Sequence, residues 1–307
     1  MKFKEYLVEY KIFQHILMEG GAMEGVGAIH IDEIEPTLIK IQNSLIRELG
    51  QETFNRYFDG GSLLDNALGS VQKKLFSGDM DIAINIDRSE IPEFVSVLQR
   101  IPEVKEVKTG SVIMMSVEID GKSDVEPPEG KARTGLVQID FMPGEKQWMK
   151  TFYHSPNLLK GESKYGGIYR TLLLTAITSN VDTKVGEIDP NDPMERPEFI
   201  ERYKWGSNGV VRVRRTPGKN AKGYLKKNDD EVIAGPYTNP QEIVKVLNLG
   251  STENLNSYES LRKTIEERYE PELVTKILES YKKLLENQGL EIPGDLWILK
   301  NFEEVKH

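Results

Sequence analysis

The chain has 307 residues, of which 38% are hydrophobic and 29% are charged, a composition typical of a globular protein with a substantial core. It contains no cysteine, which excludes disulfides, thiolate metal sites and cysteine nucleophiles and fits a reducing compartment. The formal net charge of −9 argues against a generally basic, nucleic-acid-coating surface. No apolar stretch approaches the roughly 20 residues that span a bilayer, and the N-terminus does not resemble a signal peptide. We therefore expect a cytoplasmic protein without a membrane partner.

The N-terminal part is predicted to be helical. Residues 1–19 place apolar side chains along one helical stripe, and a glycine-rich link follows at Glu19–Gly27. Residues 32–49 show a strong helical period. A turn at Asp59–Ser62 comes next, and its serine is positioned to cap a short helix over 63–68.

The central part alternates predicted strands and helices. Residues 80–86, 112–120 and 136–142 alternate apolar and polar side chains, as strands with one buried face do. Residues 91–101 and 168–178 have the helical period instead. A mixed, α+β architecture follows from this order.

The C-terminal part begins near Thr183 and contains a turn-rich boundary at Asp189–Pro193. Two short predicted strands, 209–215 and 231–234, flank a basic loop, and the remainder is predicted to form helices over 240–249, 257–268 and 271–288. We therefore divide the chain into a helical region (1–52), a core (53–182) and a C-terminal region (183–307).

A glycine and two lysines begin the most informative stretch, Gly69–Ile86. At Gly69 and Ser70 the backbone can approach a phosphate closely, because glycine has no side chain. Lys73 and Lys74 follow and can neutralise phosphate charge. These residue types together are suited to binding a phosphate.

Three aspartates are candidate ligands for metal ions. Asp79 and Asp81 lie two apart on a predicted strand, so both side chains point to one face. Asp140 lies on a later strand with a matching apolar face, and the three carboxylates converge if the two strands are neighbours. Like charges and desolvation make such a cluster unfavourable alone, and two Mg²⁺ ions would compensate for it.

The spacing resembles a known superfamily. The chain resembles the nucleotidyltransferases typified by DNA polymerase beta in the order and spacing of three motifs. These are Gly69-Ser70, then after eight residues Asp79-Met80-Asp81, and later Asp140 in Val-Gln-Ile-Asp-Phe. The run Ser77–Asp81 is close to family X polymerases, which usually have about one more residue before the first aspartate. The resemblance covers about residues 60–155. It implies a polymerase beta-like core, a short mixed sheet with helices on one face, flanked by helical regions.

The resemblance also implies roles for the site residues. Asp79 and Asp81 would bind both metal ions, Mg²⁺ or Mn²⁺, while Asp140 would bind the catalytic ion and help to activate the attacking hydroxyl. The remaining residues would contact the NTP: Gly69 and Ser70 would hold its β- and γ-phosphates at a helix N-terminus, and Lys73 and Lys74 would lie against the triphosphate.

Weaker correspondences concern the segment after Asp140. Tyr153-His154-Ser155 follows at about the distance where such polymerases place a turn that contacts the sugar. Lys164 and Arg170 are candidates for contacts with phosphate or base.

A second alignment competes for the phosphate role. Asp59–Gly69 resembles the phosphate loop of CCA-adding enzymes and poly(A) polymerases, although Leu64 replaces the usual arginine. The gap from this loop to Asp79 is also several residues longer than in those enzymes. We favour Gly69-Ser70 over Gly60-Gly61, and the choice between them stays open at this stage.

The implied activity is transfer of NMP from an NTP to an acceptor hydroxyl, with release of pyrophosphate. The acceptor predicted first is a polynucleotide 3′ end, because Arg212–Lys227 has seven basic residues and no acid and can contact an RNA or DNA backbone. A solvated hairpin loop explains that stretch equally well.

Two alternatives stay open. In the first, the protein is a nucleotidyltransferase whose acceptor is a protein or a small molecule. In the second, it is a non-catalytic structural or interaction protein with the same fold. The N-terminal segment and Tyr165–Arg170 resemble tailed-phage proteins, which would place the protein in the host cytoplasm.

Overall fold

The computed structural model describes residues 23–110, 112–188, 197–215 and 230–296. These residues divide into two compact units, one ending at Gly167 and one beginning at Ile168. The predicted helix over 1–19, the boundary at Asp189–Pro193 and residues 216–227 of the basic stretch lie outside the described residues.

The first unit contains six strands and four α-helices within the described residues. Its strands are β1 (Ile29–His30), β2 (Phe76–Ser77), β3 (Asp79–Ile84), β4 (Val104–Thr109), β5 (Ile113–Glu118) and β6 (Leu136–Pro143). Its helices are α1 (Ile31–Leu49), α2 (Gln51–Tyr57), α3 (Ile91–Leu98) and α4 (Lys146–Phe152).

The main sheet of this unit has four strands in the order β3-β6-β5-β4. β3 and β6 run parallel, whereas β4 and β5 are antiparallel to their neighbours, so the sheet is mixed, as predicted. At the free edge of β3, Ala67 forms an antiparallel bridge with Ile82, and the Leu68 N–H donates to the Asp81 carbonyl. The segment that leads into Gly69 is therefore attached to the strand that carries Asp81.

One face of the sheet forms the core. The alternating apolar residues of β3, β5 and β6 are buried against α1, α2 and α3, whose own apolar stripes complete the cluster. Aromatic rings fix this packing, with Phe94 of α3 edge-on to Phe141 of β6 at 5.2 Å between ring centroids. Because side chains alternate along a strand, the polar residues of β3 and β6 all lie on the opposite face.

The predicted strands and long helices of this unit are confirmed, and one short helix is corrected. The predicted helix over 63–68 is only a single 3₁₀ turn, Leu64–Asn66, where the Ser62 hydroxyl accepts from the Asp65 N–H.

The second unit consists of a four-stranded antiparallel sheet and helices. The strands β7 (Lys184–Val185), β8 (Ile200–Gly206), β9 (Gly209–Arg215) and β10 (Glu231–Tyr237) pair in the order β10-β9-β8-β7. The helices are α5 (Gly167–Asn180, whose first residue belongs to the first unit), α6 (Pro240–Val246), α7 (Tyr258–Arg268) and α8 (Pro271–Asn287). In the part of the chain that the structure describes, no helix has both the length and the apolar character needed to cross a membrane.

A buried carboxylate joins the start of α1 to the loop before β6. Glu33 is 1% exposed, and it accepts the His30 N–H at 3.1 Å and the Ser123 N–H at 3.0 Å. The Arg133 guanidinium forms an ion pair with the same carboxylate. One side chain therefore caps the helix and holds the loop.

We expect Glu33→Ala to lower the free energy of unfolding by about 3 kcal/mol, because it leaves a partly buried guanidinium and two N–H groups without their acceptor. Urea denaturation of the purified protein measures this change. Glu35→Ala, at an exposed position of the same helix, is the control and is expected to change it by less than about 0.5 kcal/mol. Equal effects of the two substitutions would contradict this account.

Candidate functional site

The register between β3 and β6 brings the aspartates together. Asp81 and Asp140 are direct partners on adjacent parallel strands, and Asp79 is the partner of Gln138. Partners in a parallel pair lie about 4.8 Å apart and point to the same side. All three carboxylates therefore occupy one face of the sheet, opposite the core, and each is partly buried.

The Gln138 side chain forms hydrogen bonds to the carboxylate of Asp140. Its Nε2 donates to both oxygens, at 2.8 and 3.1 Å, and its own side chain is 3% exposed. The Gln138 Oε1 is buried and has no hydrogen-bond partner. Burial, with a smaller contribution from the nearby charge of Asp79, raises the pKa of Asp140 to about 7 against the lowering effect of the Gln138 hydrogen bond.

The donor set fits a divalent cation in its chemistry, since Mg²⁺ prefers carboxylate oxygens. Within the described ranges, however, no three acidic or histidine side chains come close enough together to hold one ion. The Asp140 carboxylate is instead engaged by the Gln138 amide, which satisfies part of the negative charge that a cation would otherwise take. Binding of an ion to all three aspartates thus requires side-chain rearrangement on this face.

Gly69 lies directly against the carboxylates. A Cβ on this residue would be 3.7 Å from Asp81 Oδ2 and 3.8 Å from the Tyr153 carbonyl oxygen. The predicted helix N-terminus at Gly69-Ser70 is wrong, because residues 69–75 form turns and Gln72 has a φ of +60°, which a right-handed helix does not allow. The phosphate-binding role of this turn remains a prediction without the helix dipole.

The two lysines after Gly69-Ser70 lie in the same turn and are partly buried. Lys73 donates from Nζ to the Ser155 carbonyl, and its own carbonyl accepts the N–H groups of Leu158 and Leu159. Lys73 therefore joins the glycine turn to the segment that follows α4. Lys74 is the next residue of the same turn.

Within the segment Tyr153-His154-Ser155, Tyr153 lies close enough to Asp81 and Asp140 to be affected by their charges. Burial raises its pKa well above the usual value, and the negative charges of Asp81 and Asp140 raise it further. Its phenol therefore belongs to the same electrostatic environment as the carboxylates. Ser155 is buried, and its hydroxyl has no hydrogen-bond partner.

The competing glycine turn lies beside a different set of charges. The Nζ of Lys146 is 3.1 Å from the position of a Cβ on Gly61. Asp65 accepts hydrogen bonds from Ser62, which hold its pKa below the usual value, and the charges of Lys146 and Lys150 act in the same direction. These two lysines lie in a segment where no helix was predicted, so their four-residue spacing acquires meaning only with the observed helix α4.

The described part of the basic stretch is neutralised by acids. Arg214 donates to Glu201 Oε1 at 2.8 Å through Nε, and Arg212 forms ion pairs with Asp182 and Glu201. Arg215 donates to Asp230 Oδ1 at 2.8 Å. These arginines stabilise the second unit's own sheet, so the expectation that they contact a polynucleotide loses its support for residues 212–215.

Arg170 and Lys164 also have internal partners. Arg170 is 1% exposed, donates to the Leu255 carbonyl and lies 5.7 Å from the centre of the Trp205 ring. The Lys164 ammonium lies 5.6 Å from the centre of the Tyr165 ring. The interpretation of Arg170 as a contact for phosphate or base is not supported, because its guanidinium is enclosed in the second unit.

Compared with known proteins, the chain matches no protein-family model and has no significant similarity to a curated protein. The interpretation of the site therefore depends on its geometry and its residue types.

The raised pKa of Asp140 predicts a pH dependence of stability. A carboxyl whose pKa is higher in the folded state stabilises that state fully below its unfolded pKa, and this contribution is lost as the pH rises through about 7. Asp140→Asn removes the ionisation. In EDTA, we expect the variant to gain stability relative to wild type as the pH rises from 5 to 8.

Urea denaturation at both pH values measures that difference. Asp124→Asn, at an exposed loop position, is the matched control and is expected to show no such change with pH. The same difference at both pH values for Asp140→Asn would contradict the burial of an ionisable carboxyl at this position.

Proposed function

We propose that this protein is a metal-dependent nucleotidyltransferase with a polymerase beta-like core, which transfers NMP from an NTP to an acceptor hydroxyl, most simply a polynucleotide 3′ end. The observation that carries the proposal is the register of β3 and β6, which makes Asp81 and Asp140 partners with Asp79 on the same face. The position of Gly69 against Asp81 Oδ2 adds a backbone that a phosphate can approach.

Each site residue has a role in this proposal. Asp79 and Asp81 would hold Mg²⁺ or Mn²⁺, with Asp140 as a ligand of one ion, and Gly69, Ser70, Lys73 and Lys74 would face the triphosphate. The bound cations would neutralise charge on the phosphates and polarise the α-phosphate. Tyr153 borders the carboxylates and the Gly69 turn.

The reaction is an in-line displacement. The acceptor hydroxyl oxygen forms a bond to the α-phosphorus, and the bond from that phosphorus to the α,β-bridging oxygen breaks. Pyrophosphate leaves with the electron pair of that bond, and the hydroxyl proton passes to the Asp140 carboxylate.

We expect the double substitution Asp79→Asn and Asp81→Asn to lower the rate of NMP transfer about 10³-fold or more, because amides replace the anionic ligands of the cations. The assay follows label from each α-labelled NTP into RNA, DNA and protein acceptors, with Mg²⁺ or Mn²⁺.

Asp87→Asn, just beyond β3 and exposed, is the control and is expected to retain activity. Calorimetry of Mg²⁺-dependent NTP binding by the wild-type protein separates an enzyme from a non-catalytic protein of this fold. An unchanged rate in the double variant, or a wild-type protein that binds no NTP with Mg²⁺, would overturn the proposal.

A matched pair of glycine substitutions distinguishes the two phosphate turns. Gly69 and Gly60 have φ values of +62° and +70°, so alanine costs each backbone a similar 1–2 kcal/mol or so. A Cβ at residue 69 lies against Asp81 Oδ2, whereas one at residue 60 has no heavy atom within 4 Å. We expect Gly69→Ala to weaken Mg²⁺–NTP binding by about tenfold, measured by calorimetry, and Gly60→Ala to leave it unchanged. The reverse order would assign the triphosphate to Gly60-Gly61.

A further inference from the structure

One face of α4 carries two lysines in line with the candidate site. Lys146, Lys150 and Tyr153 are spaced four and three residues apart, so they lie on the same side of the helix and its C-terminal end. Tyr153 lies at the aspartate end of this row, since its carbonyl and the Asp81 carboxylate flank the same glycine, Gly69. The two ammonium groups therefore follow one another along a line that leads away from the carboxylates.

The Gly60-Gly61 turn leaves space for the ammonium group of Lys146. The Nζ of Lys146 occupies the space that a side chain on residue 61 would need, at 3.1 Å from the Cβ position. The turn is tight because Gly60 has a φ of +70°. The N–H groups of Gly60 and Gly61 donate to the carbonyls of Asn55 and Phe58, so the turn provides space for the ammonium group and not N–H donors for a phosphate.

The cluster keeps a positive charge. Lys146 and Lys150 act on one carboxylate, Asp65, which is exposed and also accepts hydrogen bonds from Ser62. The two ammonium groups repel each other, and Lys150 is in addition partly desolvated. Two cations that share one anion attract a further negative group.

We propose that Lys146 and Lys150, the first beside the Gly60-Gly61 turn, bind consecutive phosphates of a single-stranded nucleic acid whose 3′ hydroxyl is the acceptor. This inference deepens the proposed function and depends on it for the fate of the 3′ end. Cations one helical turn apart, about 5.4 Å along the axis, suit a ligand with regularly repeated negative charge. The described arginines of the other basic stretch form ion pairs with Glu201, Asp182 and Asp230, whereas Lys146 and Lys150 act on one carboxylate, Asp65.

The test measures binding of fluorescein-labelled single-stranded RNA and DNA oligonucleotides by anisotropy, in EDTA and without NTP. We expect Lys146→Ala with Lys150→Ala to weaken binding about tenfold at low salt, and to reduce the slope of log affinity against log salt concentration by about 1.4. Lys105→Ala with Lys108→Ala, which removes two exposed lysines of β4 in the same unit, is the matched control and is expected to change neither quantity. Thermal melting verifies that each variant is folded.

A second variant tests the turn independently. Gly61→Ala places a Cβ 3.1 Å from the Lys146 Nζ, which must shift while its charge remains, so we expect it to weaken oligonucleotide binding by less than the double lysine substitution does. Mg²⁺–NTP affinity, measured by calorimetry, is expected to stay unchanged in all three variants.

Several results would overturn the inference. One is an equal loss of oligonucleotide affinity in the lysine variant and its control, or no loss in either. Another is an equal loss of NTP affinity in the lysine variant, which would make the cluster part of the triphosphate site. A third is competition by polyglutamate as strong as that by unlabelled oligonucleotide. Since binding is measured without metal or nucleotide, a failure here is distinct from a failure of the proposed transferase activity. The latter would appear as absent NTP binding in a protein that still binds oligonucleotide through these lysines.

Discussion

The parallel pairing of β3 with β6 is the constraint on which the candidate site depends. It places Asp81 beside Asp140 although 58 residues lie between them in the chain. A slip of one residue would turn Asp140 towards the core and expose Phe141, whose ring packs edge-on to Phe94. The apolar packing on one face of the sheet thus enforces the meeting of carboxylates on the other. Core and site are two consequences of one register.

That register also determines which residue controls Asp140. Gln138 lies two positions before it, so its amide is on the same face, and its buried Nε2 bonds both carboxylate oxygens. The amide supplies hydrogen bonds but no positive charge, and the pKa of Asp140 remains near 7 because burial outweighs them. A buried carboxylate in this condition is stabilised by either a proton or a cation. The same physical cause therefore relates the pH dependence of stability to the proposed affinity for metal.

Much of the first unit could be predicted from periodicity. The strands at Asp79–Ile84, Ile113–Glu118 and Leu136–Pro143 alternate because one face is buried, and α1 has a continuous apolar stripe. β4 was not predicted, since an edge strand with exposed lysine and glutamate side chains has little alternation to detect. A related difficulty applies to β8, where Glu201 takes a position on the face that buries Tyr203 and Trp205 and so interrupts the apolar pattern.

The candidate site was less predictable where tertiary contacts decide the backbone. A helix after Ser70 is compatible with the local sequence, but the Leu158 and Leu159 N–H groups bond to the Lys73 carbonyl in a turn with Gln72 at positive φ. A single sequence contains no signal for that partner, because the segment lies more than 80 residues away. The three aspartates were identifiable since their positions follow strand periodicity, whereas Tyr153 reaches them only through the packing of α4.

The acids around each lysine and arginine decide how strongly that cation attracts an anionic acceptor. A count of basic residues favours Arg212–Lys227 as a polyanion contact, yet the described arginines there are matched by Glu201, Asp182 and Asp230. Charge-matched arginines contribute little attraction at a distance, because their fields are cancelled locally. Lys146 and Lys150 are fewer, but they share Asp65 and lie on the unit that carries the aspartates. For attracting an anionic acceptor, the balance of charge around each cation matters more than the number of cations in the sequence.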